Sequence, residues 1–431
     1  MEATPVPAGP KHELLVRLGA IAIVVWAVGS LFDESVQQAA QALTLVLAAA
    51  VLVRRRELAS AEWRELAIAF GALAAWQLLS PLAALVTGAS PVLPHAAKLL
   101  QFLDTLAVPA LALVAALGVP WRALAWILPI GWGLETAVSL FQHYVRWPWE
   151  HLGPVRFPLN RLHQTFTAPG QPERYTGLGF FFHKLRFSFA AISLFGPALS
   201  ATASAKNPKQ RAVAGGTSLL LLGCIALSLT RAALGAALVE LAAAVVGLLR
   251  GKARLALVAV GILGVASVLL SSSWQARLRR GDNLFMEDER TFALQTGLQL
   301  VSAHPLLGVG YGNYTAEAEK LHGPLTPDEH VLVTSAHNLF VTVWAEPGVV
   351  GVALLLLAHL TLARALWRRY RAGSAAAAGG LLALIGYHGL GLFHYPPHHT
   401  GVQLTFVFVW ALCLAEPPEW LTCSPHRTDG K

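Results

Sequence analysis

The sequence predicts an all-α integral membrane protein with about twelve transmembrane helices, and three observations carry that prediction. Of 431 residues, 55% are hydrophobic and only 13% charged, with a mean hydropathy of +0.54. The apolar residues gather in runs of about 18 to 25, long enough to cross a bilayer as helices. The net charge of +8 comes from Lys and Arg in short clusters between those runs, where they set membrane orientation and build no nucleic-acid surface. A cytosolic enzyme, a secreted disulfide scaffold and a disordered chain are thereby excluded. Cys224 and Cys413 lie inside apolar runs and Cys423 in the tail, so neither a disulfide nor a thiolate metal site is indicated.

In chain order, the first span, 14–32, follows a polar start, MEATPVPAGPKHE, and is long enough to be retained as a helix. Spans at 36–53, 65–86, 96–117 and 121–142 precede a long connection, 143–186. Four more follow, at 187–204, 212–230, 232–249 and 253–270, and then a longer connection, 271–338. The last three spans are 339–366, 376–395 and 399–416, making residues 1–431 one polytopic domain. Ala and Gly are frequent within the spans, which lets helix backbones approach closely. Nineteen of the 32 Lys and Arg fall in connections on one side, whereas short connections on the other side hold almost none. Both termini are therefore expected in the cytoplasm and both long segments outside. The first outer segment, with WPWE and GPVRFPLNR, reads as an irregular loop near the headgroups. The second contains DERTFALQTGLQLVSAHP, with Phe292, Leu294, Leu298 and Val301 on a rough apolar stripe, then a turn, GVGYGN, and VTSAHNLF. It reads as a small outer cap with short helices.

Arg231 interrupts the apolar run LLLLGCIALSLTRAALGAALVE, where a guanidinium costs roughly 2.5 to 3.5 kcal/mol on insertion scales unless it is paired or near the interface. A snorkelling arginine at a hairpin tip is the plain alternative. The same topology puts Arg161, Arg174, Arg186 and Arg290 on the outer side, and several planar forks on one face suit phosphate or pyrophosphate oxygens. His337 stands where the second outer segment enters the tenth span. Its ordinary pKa near 6.5 suits a general base, with Asn338 or Glu346 to orient it, although a hydrogen-bonded interface histidine fits the same position. His394, His398 and His399 in FHYPPHH lack zinc spacing and suit a membrane-interface turn. Glu287, Asp288 and Glu289 have Arg279, Arg280 and Arg290 as nearer partners than a divalent cation. Gly308, Gly310 and Gly312 mark a tight turn, because no strand precedes them as a dinucleotide site requires. Asp104, Glu135, Glu240, His359 and His388 inside spans keep a transporter reading open, without an inverted repeat to support it.

Three pieces, SLTRAALGA, DERTFALQTGLQLVSAHPLLGVGYGNYTAEA and SAHNLFVTVWAEPGVVG, together resemble the bacterial O-antigen ligase and polymerase superfamily. The likeness spans about residues 225 to 355. Thr230 stands where the family commonly has serine and Ala232 where it has glycine, and FHKLRFS matches an earlier arginine-bearing segment only loosely. The resemblance implies a GT-C-like membrane glycosyltransferase of the bacterial inner membrane with a periplasmic cap. It implies transfer of O-antigen from undecaprenyl pyrophosphate to a lipid A-core hydroxyl, with inversion and without metal or cofactor. In that scheme His337 is the base, and Arg231, Arg290, Arg161 and Arg186 hold the pyrophosphate. The partners are the lipid-linked donor, the lipid A-core acceptor and membrane lipids, with no nucleic acid. Ala-His-Asn favours a ligase; an O-antigen polymerase, a protein O-oligosaccharyltransferase and, from a different class, a transporter are the alternatives.

Overall fold

A computed structural model of the chain describes residues 10–145, 167–248, 270–279, 288–323 and 334–415, less Asp33, 169–170 and Phe182, together with single positions between 258 and 266. The described residues form an all-α bundle. Its helices are α1 (Pro10–Phe32), α2 (Glu34–Arg54), α3 (Ala61–Thr87), α4 (Ala96–Leu99), α5 (Phe102–Ala115), α6 (Trp121–Val145), α7 (Lys184–Ser204), α8 (Pro208–Leu227) and α9 (Arg231–Gly247). After α10 (Ser272–Arg279), the cap contributes α11 (Asp288–Ala303), α12 (Tyr314–His322) and α13 (Leu339–Ala345). The bundle closes with α14 (Gly348–Arg371), α15 (Ala375–Gly391) and α16 (Thr400–Leu414). Among the described residues, eight helical stretches are long and apolar enough to cross a membrane: α1 to α3, α4 with α5, α6 to α8, and α14. The shorter α9, α15 and α16 match three further predicted spans, and most of the ninth, 253–270, lies outside the described residues. Val53, Ile68, Val86 and Leu360 are exposed by 66 to 86%, as side chains facing lipid are.

Among consecutive helices α1 packs against α2, α7 against α8, α14 against α15 and α15 against α16, and polar contacts sort to two ends of the bundle. At one end Arg368 meets Glu65 at 2.8 Å, Arg369 meets Glu62 at 2.6 Å, and Tyr370 donates its hydroxyl to the Gly247 carbonyl. At the other, Gln101 donates to Thr400, Asn338 to the Leu392 carbonyl, and Arg186 pairs with Glu34. Between the ends, α7 lies in the centre against α8, α9, α15 and α16. Close approach requires glycine there: a Cβ on Gly379 would lie 2.6 Å from the Pro197 Cα, and one on Gly196 would lie 2.5 Å from the Leu382 Cβ. With lipid as apolar as the helices, such packing replaces the hydrophobic drive that water supplies to soluble cores.

Two elements differ from the sequence reading. The tenth span breaks at Glu346–Pro347 into α13 and α14, because proline cannot continue the α13 ladder and Gly348 turns the chain with φ +72°. The first long connection, expected to be irregular, contains an antiparallel pair, Thr167–Ala168 with Gln171–Tyr175.

The cap has its own small core of Leu300, Val301, Val309, Tyr314, Ala318, Ala336 and Ala345. The glycine turn docks it on the break in the tenth span: Val309 N–H donates to the Ala345 carbonyl and Gly310 N–H to the Glu346 carbonyl, both at 2.8 Å. Gly308, at φ +68°, has no room for a Cβ against the Glu346 carbonyl. The turn is also tied to the bundle, since Tyr311 N–H donates to Ser80 Oγ and Asn313 Nδ2 to the Val92 carbonyl.

Candidate active site

His337 lies at the mouth of α13, and its backbone is built before its side chain matters. Asn338 caps α13, its Oδ1 accepting from the Phe340 and Val341 amides at 3.0 Å each, while its Nδ2 reaches the end of α15 at the Leu392 carbonyl. Ala336 N–H donates to Thr342 Oγ1. Held from both sides, His337 adopts φ +48°, a left-handed conformation that costs a non-glycine residue free energy and is found where surroundings over-determine it. Asn338 thus fixes the backbone on which the imidazole stands, and Glu346 accepts instead from the Tyr314 amide.

The ring facing His337 belongs to His394, just beyond α15. Their centroids are 5.9 Å apart at 84°, edge to face. Arg290, in the first turn of α11, brings Nη2 to 3.2 Å from His394 Nε2. A guanidinium only donates, so that nitrogen is an acceptor and the His394 proton is assigned to Nδ1. Phe189 of α7 closes the other side of His394 at 5.0 Å, and the imidazole is 4% exposed. Burial, with the Arg290 charge adding to it, lowers His337 to about 4. Burial also holds His394 well below the ordinary histidine range, aided by Arg290, His337 and His183. Both imidazoles are therefore neutral at physiological pH, and His337 has a lone pair to accept a proton.

A second group joins this one. His183 is the N-cap of α7, its Nδ1 accepting from the Leu185 amide at 3.1 Å, and one turn on Arg186 pairs with Glu34 at the start of α2. His183 lies 6.3 Å from His399, which lies 5.1 Å from His398. Burial first, then Lys184 and Arg186, lowers His183 to about 4; burial first, then Lys98, His337 and Arg186, does the same to His398. The start of α7 is aimed by a polar row on α6. Gln142 Oε1 accepts from the Leu178 and Gly179 amides, Glu135 Oε2 accepts from Phe180 N–H, and His143 Nδ1 meets the Tyr175 carbonyl at 2.7 Å.

Arg231 opens α9 at the same end of the bundle. The turn before it puts Leu229 at φ +51°, and Gly177 N–H donates to the Leu227 carbonyl. Arg174 lies over the Tyr144 ring at 5.0 Å, a cation–π contact outside the histidine group. Arg161 lies outside the described residues, as do Glu287 and the side chains of Asp288 and Glu289. The structure thus brings Arg290 and His337 together around His394 and sets Arg186 beside His183 and His399, while sequence reasoning missed His394, His183 and Phe189. The signal available is FHYPPHH, three histidines at the junction before α16, a pattern that also suits an interface turn. Among the described residues, no three His, Cys, Asp or Glu side chains form a group that could hold a metal ion. Inside the spans, Asp104 accepts from Gln41 at 3.0 Å, His359 meets His388 at 3.2 Å, and Glu240 sits against Gly196 and Gly386.

Residues 216–356 match the family model described as O-Antigen ligase, a stretch that takes in Arg231, Arg290 and His337. No curated protein matches the chain. The match covers the part of the chain that runs from within α8 to the first turns of α14, so this stretch of a helical membrane architecture is similar to the O-Antigen ligase family.

Proposed function

We propose that the protein belongs to the O-antigen ligase/polymerase superfamily and is an O-antigen ligase. It transfers the polysaccharide from undecaprenyl pyrophosphate to a lipid A-core hydroxyl at the periplasmic face of the inner membrane, both termini being cytoplasmic. The observation that carries the reading is the meeting of Arg290 with His337 across His394, which sets a neutral proton acceptor beside a cation suited to pyrophosphate.

His337 takes the acceptor proton as that oxygen attacks the anomeric carbon. The bond from that carbon to the pyrophosphate oxygen breaks on the opposite face, so configuration inverts and undecaprenyl pyrophosphate leaves with the bonding electrons. Arg290 and Arg231, with Arg186 and Arg161, stabilise the charge that grows on it. Pyrophosphate is already a competent leaving group, so neither a Lewis acid nor a glycosidase-type carboxylate pair is required. A bound dianion also offsets the Arg290 charge that depresses His337, making the imidazole more basic when the donor is in place.

Purified protein given lipid-linked glycan and rough lipopolysaccharide tests the reading. A ligase produces ladder bands on lipid A-core; lengthening of the lipid-linked donor alone identifies a polymerase, and no change in either sugar pool leaves a transporter. Sidedness is tested by Asn160→Cys and Leu325→Cys, which should label with impermeant reagent before the inner membrane is breached.

A further inference from the structure

One polar recess of the bundle has no part in the transfer step. It lies between α3, α5, α14, α15 and α16, is closed on the cap side by Tyr311, and holds about 40 Å³, room for a few waters. Leu339, Tyr395 and Pro397 also line it, each within two residues of His337, His394 or His398, so the recess adjoins the candidate active site. Its polar side chains are only half used. Asp104 Oδ1 accepts from Gln41 at 3.0 Å, Gln77 Oε1 from the Thr105 hydroxyl at 2.9 Å and Gln403 Oε1 from the Tyr387 hydroxyl at 3.0 Å, while Gln101 Nε2 donates to Thr400 at 3.3 Å. Among the described residues, Asp104 Oδ2, Gln101 Oε1, the Nε2 groups of Gln77 and Gln403, and the hydroxyls of Tyr311 and Tyr395 make no hydrogen bond. These atoms reach the open space, since the polar atoms sealed without a partner in the described bundle lie elsewhere, as at Glu135 and Glu240.

We propose that this recess is a sugar subsite, which takes the hydroxyl-bearing edge of one neutral sugar residue from the glycan beside the reacting atoms. This rests on the ligase reading above. The unfilled groups are two amide donors, two oxygen acceptors and two hydroxyls that do either. Such a mixed set matches the edge of a sugar ring, where every hydroxyl both donates and accepts. A phosphate fits poorly, because no lysine or arginine lines the recess and the Asp104 carboxyl does. A prenyl chain fits no better, since it would bury the same groups unpaired. The small volume admits part of one ring, so the recess reads a single residue and leaves the rest of the polysaccharide outside. Tyr311 comes from the cap turn and the glutamines and Asp104 from the bundle, so a sugar held by both also ties one to the other.

The test uses the full chain in nanodiscs and measures affinity for lipid-linked glycan, for sugar-free undecaprenyl pyrophosphate and for rough lipopolysaccharide, together with KM for the two glycans in ligation. Asp104→Asn keeps the oxygen that meets Gln41 and turns the other acceptor into a donor. Gln101→Met, at the half-buried rim, removes an acceptor and, from the fold, only the long bond to Thr400. Each variant should weaken affinity and raise KM for one glycan by about three- to tenfold, the usual worth of one hydrogen bond, with undecaprenyl pyrophosphate binding within about twofold of wild type. A change confined to the lipid-linked glycan puts the donor sugar in the recess; one confined to rough lipopolysaccharide puts the acceptor sugar there. A structural role predicts instead that affinity for sugar-free undecaprenyl pyrophosphate falls in step. Such parallel loss, or unchanged affinity for both glycans in both variants, overturns the subsite while the ligase reading stands. Wild-type protein that binds both glycans and transfers neither overturns the ligase reading, and the affinities then decide the subsite by themselves.

Discussion

Two helix starts at the same end of the bundle, α13 and α9, use the same backbone device for different ends. Each is entered through a non-glycine residue in the left-handed region, His337 at φ +48° and Leu229 at φ +51°. At α13 the strained residue is itself the candidate base, and Asn338 beside it caps two helix amides. At α9 the strain falls two residues before the candidate cation. The N-cap, Thr230, makes no side-chain cap bond, and its hydroxyl turns back to the Ser228 carbonyl. The difference is chemical. A capped start is rigid and has used its amide donors, which suits holding one imidazole in register. An uncapped start keeps amide donors and the positive end of a helix dipole beside a guanidinium, which suits an anion.

The largest expected effect breaks the α13 side. His337→Ala should lower turnover by roughly 100- to 10,000-fold while undecaprenyl pyrophosphate binding and expression persist, because a half-buried junctional ring adds little packing. Donor affinity lost as completely as turnover would rule out the base role. Next comes the α9 side, where Arg231→Ala should cost about 2.7 to 4 kcal/mol of transition-state stabilisation in kcat/KM. Arg231→Lys should recover only part of that, since it restores charge without the fork; wild-type rates in either variant refute the assignment.

The pH dependence sharpens the comparison, because the α13 side carries the candidate base as a histidine. The sequence alone suggests an acid limb near 6.5, but burial and Arg290 place the free-enzyme His337 at about 4, so kcat/KM should hold down to pH 5 and fall near 4. Stability follows the same sign. His183, His337 and His398 are lowered to about 4 in the folded chain against the ordinary 6.5. Their neutral forms stabilise the fold fully above 6.5, and that contribution is lost as the pH falls from 6.5 towards 4. Thermal melts of the detergent-solubilised protein across that interval would show it, and a melting temperature that rises with acid contradicts it.

The smallest effects come from exchanging the caps. Asn338→Ala should destabilise by about 1 kcal/mol or somewhat more, given the lost cap and the bond to Leu392. Thr230→Asn, supplying a better cap at α9, should stabilise by a few tenths of a kcal/mol and weaken donor binding. Tighter binding in Thr230→Asn would show that the α9 amides take no part.

The positions of Arg231, Arg290 and His337 were legible because each sits in a local pattern: an ionisable residue inside an apolar run, the start of an amphipathic stretch, a loop-to-helix junction. His394 was not, since a histidine beside Tyr-Pro-Pro looks like any interface turn until α15 and α11 are brought together. Arg186 shows the intermediate case. Its side was predictable, but its pairing with Glu34, 152 positions away, depends on how α2 meets α7.

By itself, then, the sequence determined what is decided helix by helix: the membrane class, most of the spans, and the sorting of charge between two sides. Transfer of an apolar segment into lipid is a sum over its own residues, and backbone hydrogen bonds close within each helix. Only the tertiary structure decided what depends on where helices end relative to one another. It broke the tenth span at Glu346–Pro347, docked the glycine turn on that break and set Arg290 against His394 and His337. Those contacts arise from packing between helices distant in sequence, and hydropathy carries no information about which side chains such packing will bring face to face.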